Sequence, residues 1–151
     1  MSDSHGRTGN CDKAIESFKP DMILHLGDIE RDVQYLGDVY PEIELHGVLG
    51  NNDYYCTRET EKVIDVNGIK IFMTHGHRYG ASAERIASRA AEEGCTLALF
   101  GHTHQSLDRQ IDSVRVFNPG SISLPRGGRP SCGILETDKY GKYGLVLCDW
   151  I

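Results

Sequence analysis

A mixed α/β sandwich is the fold class this sequence predicts, and three observations predict it. Short apolar runs alternate with amphipathic stretches early in the chain, and paired β-rich runs follow. Clusters of Asp, Asn and His stand where the apolar runs end.

Asp12 to Lys19 carries Ala14, Ile15 and Phe18 on one face and meets Pro20, which predicts an amphipathic helix with a breaker just past its end. "DMILHLGD" (Asp21 to Asp28) is a short apolar run, a buried strand that delivers Asp28 at its carboxyl end. Asp32 to Tyr40 reads as a short helix stopped by Pro41. "IELHGVLGNND" is then a second strand, delivering Asn51, Asn52 and Asp53. In "EKVIDVNGIKIFMTHGH" two β-rich runs flank Asn67-Gly68, the preferred pair for a type I′ hairpin turn, and the second run ends at His75 and His77. Ser82 to Glu93 places Ile86, Ala87, Ala90 and Ala91 on one helical face, with Gly94 as the stop. "TLALFGHTH" is a buried strand ending at His102 and His104. "RQIDSVRVFNPGSISL" and "SCGILETDKYGKYGLVLCDW" read as two antiparallel hairpins. His25 and His46 lie among apolar residues and are read as core or strand histidines.

The 151 residues suit one domain spanning 1–151, enough to bury roughly two-thirds of the unfolded surface. Hydrophobic residues at 39% and charged residues at 25% are globular values, which excludes a disordered or fibrous class. No apolar run approaches the ~18 residues of a membrane span, and the N-terminus has no secretory apolar region, so no membrane partner and a cytoplasmic location are expected. Five cysteines, an odd number without a C-x-x-C pair, fit buried reduced thiols. The net charge of −6 argues against a broad nucleic-acid surface. A homo-oligomer is compatible with the sequence, which does not specify the oligomeric state.

The chemistry lies in the polar clusters. Separate chain segments offer D-S-H (Asp3, His5), G-D (Asp28), G-N-N-D (Asn51, Asn52, Asp53), H-G-H (His75, His77) and G-H-T-H (His102, His104). In open α/β sheets ligand sites gather at the carboxyl ends of strands, so residues scattered in sequence can converge in space. Each cluster alone has an ordinary reading: a turn, a helix cap or a solvated H-x-H. Their succession in this order is far more specific. Carboxylates, an amide oxygen and imidazoles, without a thiolate, form a donor set suited to Mn²⁺, Fe²⁺, Ni²⁺, Co²⁺ or Zn²⁺.

On these motifs, and on the late "NPGS" (Asn118 to Ser121), nearly the whole chain resembles the calcineurin-like metallophosphoesterases. It is most similar to the small single-domain bacterial and archaeal phosphodiesterases related to the Vps29 scaffold protein. The resemblance implies a four-layer αββα sandwich with two mixed β-sheets flanked by helices, and a site for two divalent metal ions, Mn²⁺ foremost. By motif, Asp3, His5 and His104 would hold the first metal, and Asn51, His75 and His102 the second. Asp28 would bridge them. It also implies hydrolysis of small phosphate esters, phosphodiesters foremost. A hydroxide shared by ions about 3.5 to 4 Å apart would attack phosphorus in line. In many relatives a histidine follows the ligand asparagine and protonates the leaving alkoxide. Here Asn52 holds that place, and an amide cannot transfer a proton. His77 is the alternative acid, and Asp53 is expected to anchor the turn.

Relatives also carry an apolar strand before their D-x-H, whereas only Met1 and Ser2 precede Asp3 here, so the first strand is expected to be missing or truncated. The alternative function is a Vps29-like interaction scaffold with a vestigial metal site.

Overall fold

Apolar spacing along the first helix, α1 (Gly9–Phe18), buries Cys11, Ala14 and Ile15, and the left-handed Lys19 ends it before Pro20. It starts earlier than the apolar pattern predicts because the Asp12 amide already closes a helical bond on Thr8 O. The computed structural model describes residues 1–149; Trp150, at the end of the stretch read as the last hairpin, lies outside them. The first strand, β1 (Met22–His25), leads through α2 (Glu30–Val39) to β2 (Glu44–Gly47), which pairs with it in parallel, Met22 opposite Glu44.

The Asn67-Gly68 turn closes the hairpin of β3 (Glu61–Val66) and β4 (Ile69–Thr74) with both φ positive, at 53° and 83°, as a type I′ turn requires. Helix α3 (Ala83–Glu92) is capped by Ser82, whose hydroxyl accepts from the Arg85 amide, and ends at left-handed Gly94. Strand β5 (Leu97–Leu99) follows, then the antiparallel pair β6 (Ser106–Ile111) and β7 (Val114–Pro119), and the pair β8 (Cys132–Thr137) and β9 (Tyr143–Cys148). The expected hairpins are all present.

Strands β3-β4-β5-β7-β6 form one mixed sheet, parallel at β4-β5 and β5-β7. One face of it packs on α3 through Phe72, Ile86, Ala90 and Phe100. The other face meets the layer of β1, β2, β8 and β9 through Leu26, Ile71, Leu97, Phe117 and Leu145. Helices α1 and α2 cover the far side of that layer through Ile15, Ile23 and Leu36. This is the αββα sandwich.

The chain's beginning is short but not unpaired. Met1 N donates to Leu24 O at 2.8 Å, Leu26 N to Met1 O at 2.9 Å, and Asp3 N to Gly27 O at 2.7 Å, so Met1 to Asp3 add parallel rungs to the edge of β1. Beyond Met1 a cavity of about 750 Å³ separates β1 from β8, lined by Leu24, Leu26, Phe117, Ile134 and Leu135 among others. No helix among the described residues is long and apolar enough to cross a membrane.

A short apolar extension fused ahead of Met1 is expected to continue this ladder and fill the cavity. The melting temperature should then rise by on the order of 5 °C. An unchanged or lower value in differential scanning calorimetry would show that the cavity does not accept a strand.

Candidate metal centre

The carboxyl ends of parallel strands point one way, and the predicted side chains arrive at that end together. Asp3, His5 and His104 bring donor atoms within 4.8 Å of one another, and so do Asp3, Asp28 and His75. Asn51 Oδ1 lies 3.1 Å from His75 Nε2, while the His102 and His77 rings stand 5.1 Å and 5.5 Å from that of His75. Four of these residues, Asp3, His5, His102 and His104, have φ between 49° and 68°, a region that side chains other than glycine seldom occupy. Glycine permits the close packing between segments. A Cβ on Gly101 would strike the Ser2 hydroxyl, and one on Gly50 would strike the Asp28 carboxylate.

Hydrogen-bond partners fix the protons. His75 Nδ1 lies 2.8 Å from Leu26 O and His104 Nδ1 lies 2.6 Å from Leu124 O. A carbonyl only accepts, so each Nδ1 carries a proton, and in the neutral ring each Nε2 is a bare lone pair. Those lone pairs face other acceptors: His75 Nε2 meets Asn51 Oδ1, and His104 Nε2 meets Asp3 Oδ1 at 3.2 Å. Asp3 Oδ1 is buried and has no hydrogen-bond partner among the described residues. His5 Nε2, 3.2 Å from His104 Nε2, points to the same place. Acceptors facing acceptors repel unless a cation stands between them, so the residues present fit divalent metal.

The supporting bonds are made by residues that carry no ligand signature. Asn118 donates to Gly101 O at 2.7 Å and Ser121 Oγ to Asp3 O at 2.7 Å, so the N-P-G-S loop ties the G-H-T-H and D-S-H turns together. Asp53 accepts from the Gly50 amide at 2.7 Å and from the Glu30 amide at 2.6 Å. It thus anchors its own turn and caps α2. That long-range cap explains why α2 begins at Glu30 and not at Asp32. Asn52 does not project free into the site: its amide N–H lies 2.8 Å from Asp28 Oδ1, and its side-chain amide donates to Asp28 Oδ2.

The chain is similar to known proteins over most of its length. The model of the calcineurin-like phosphoesterase superfamily domain matches residues 1–140. A phosphodiesterase of Methanocaldococcus jannaschii is 29% identical to this chain, covering 97% of it and 96% of its own length. A predicted phosphoesterase from Streptococcus pneumoniae superposes with a TM-score of 0.73 at 28% identity, over 99% of this chain and 80% of that one. The zinc complex of Vps29 from Entamoeba histolytica superposes at 0.64 with 20% identity, over 85% and 81%, a likeness of fold alone.

Burial and neighbouring histidines hold His77 and His102 below the ordinary imidazole range. His25 is fully buried, as read from sequence, and burial pushes its pKa down from 6.5 to about 3. A histidine kept neutral in the fold but protonated when unfolded stabilises the protein above pH 6.5. That contribution is lost as pH falls from there toward 3. Urea unfolding between pH 7 and 4 is therefore expected to show falling stability with up to one proton taken up through His25. In His25→Gln the slope should be shallower; an unchanged slope would remove His25 from the account.

Proposed function

The chain belongs to the calcineurin-like phosphoesterase superfamily, and on that premise we propose that it hydrolyses small phosphodiesters with two divalent metal ions, Mn²⁺ foremost. The observation that carries the reading is the set of unprotonated acceptors meeting at one place, His75 Nε2 against Asn51 Oδ1 and His104 Nε2 against the orphan Asp3 Oδ1. Asp3, His5 and His104 would hold the first ion, and Asn51, His75 and His102 the second, with Asp28 between them. When bound, such ions supply a deprotonated water as nucleophile and offset charge on the phosphoryl oxygens.

The chain's own residues orient and hold. Asn52 clamps both oxygens of Asp28 and so sets the direction of that carboxylate. It is a hydrogen-bond donor, not an acid. His77 is the acid proposed for the leaving-group proton: its ring lies 6.2 Å from that of His102, and because burial holds its pKa below the ordinary imidazole range it would serve best on the acid side of neutral. Five free thiols fit a reducing, cytoplasmic setting.

Metal-stripped protein re-supplied with Mn²⁺ should cleave bis-p-nitrophenyl phosphate in preference to p-nitrophenyl phosphate, at about two ions per chain. Absence of turnover with one ion or none would favour the interaction scaffold. Asp28→Asn should abolish turnover with the fold retained, and near-normal rates would refute its role. Asn52→His keeps the backbone N–H bond to Asp28 Oδ1 and adds an imidazole, and should raise hydrolysis of esters with poor leaving groups by up to about 100-fold. An equal gain on all esters would count against a shortage of acid.

A further inference from the structure

Between the two candidate ligands Asp3 and His5 stands Ser4, fully buried and with no metal-binding role. Its hydroxyl donates to Asp32 Oδ2 at 2.5 Å, and the Gly6 amide donates to the same oxygen at 2.8 Å. Having given its proton to Asp32, Ser4 Oγ accepts at 3.1 Å from His25 Nε2, which must therefore carry the hydrogen. Nδ1 of His25 is left bare and has no partner among the described residues, consistent with a neutral ring. His25, Ser4 and Asp32 thus form one buried chain of hydrogen bonds behind the D-S-H turn.

Asp32 comes from the first turn of α2, a different segment from every candidate ligand, and is itself 4% exposed. No salt bridge reaches it among the described residues, so its buried carboxylate is satisfied by donors of the turn itself. The turn needs such a hold. Asp3 and His5 both sit in the left-handed region, at φ 56° and 49°, and Asp32 grips the residue between them and the residue after them.

We propose that Asp32 is a positioning residue for the first metal position: through Ser4 and Gly6 it fixes where Asp3 and His5 present their donor atoms. This rests on the two-ion reading above. The consequence is selective. Loss of Asp32 should weaken the ion held by Asp3, His5 and His104 more than the one held by Asn51, His75 and His102, which is tied to Asp3 through the His102 amide on Asp3 Oδ2 at 3.0 Å and otherwise rests on Leu26 O and the Asp53-anchored turn.

The test is isothermal titration of Mn²⁺ into metal-stripped wild type, Asp32→Asn and Ser4→Ala, with melting temperatures of the metal-free proteins. Wild type is expected to bind two ions. In Asp32→Asn one of the two affinities should fall by about 10- to 100-fold while the other falls far less. Ser4→Ala, which keeps the charge but cuts the relay, should fall in the same direction. Equal weakening of both positions would overturn the proposal, as would unchanged affinities with a lowered metal-free melting temperature, the mark of a merely structural carboxylate. Should Asp32→Asn not fold, the Ser4→Ala titration decides by the same criterion. A wild-type protein that binds no ion fails the functional reading itself. Two ions bound by wild type, with both variants indistinguishable from it, fail this inference alone.

Discussion

Lone pair set against lone pair is the constraint from which the rest of this structure follows. Two imidazoles each give their Nδ1 proton to a backbone carbonyl, those of Leu26 and Leu124, and turn an unprotonated Nε2 toward another acceptor. Left to themselves such groups would rotate apart. The protein holds them by spending polar groups at a distance: Asn118 and Ser121 fasten the loops, and Asp53 fastens its turn, so no single contact bears the repulsion.

The sandwich is what makes that hold feasible. Strand β4 delivers His75 and β5 leads to His102 and His104 from one sheet, while the segments after β1 and β2 bring Asp28 and Asn51 from the facing layer. The two layers meet on Leu26, Ile71, Leu97 and Leu145, an apolar contact edged by Arg115, which donates to Leu145 O at 3.0 Å, and it sets the separation between the two halves of the site. Burial of side chains of this size contributes about 1.5 to 3 kcal/mol each, enough to set against the unfavourable grouping of acceptors.

Much of this was legible in sequence because it is local. The Asn67-Gly68 turn, the apolar face of α3 with its Ser82 cap, and the two late hairpins are written in neighbouring residues. The clusters proposed as ligands were legible because glycine and histidine at the ends of apolar runs form an ordered succession, and the fold brings them to one place. Asp32 and Asp53 were only partly legible. Each acts on backbone more than twenty residues away, Asp32 on Gly6 and Asp53 on Glu30, and no periodicity records such bonds. Met1 to Asp3 escaped for a different reason: three residues carry no alternation, and only the ladder on Leu24, Leu26 and Gly27 reveals them as strand-like. Asn52 looked like a failed acid by position, and its bond to Asp28 gives it another occupation.

The left-handed backbone at Asp3, His5, His102 and His104 carries a consequence for ion choice. A ligand on an ordinary strand or helix can follow a larger or smaller ion by a slight turn of the chain. These four sit in a narrow allowed region from which a small rotation leads into collision. Adjustment to an ion of another size would therefore have to come from side-chain rotation and not from the backbone, and the cations that the proposed centre accepts would be sorted by size and preferred geometry as well as by donor softness.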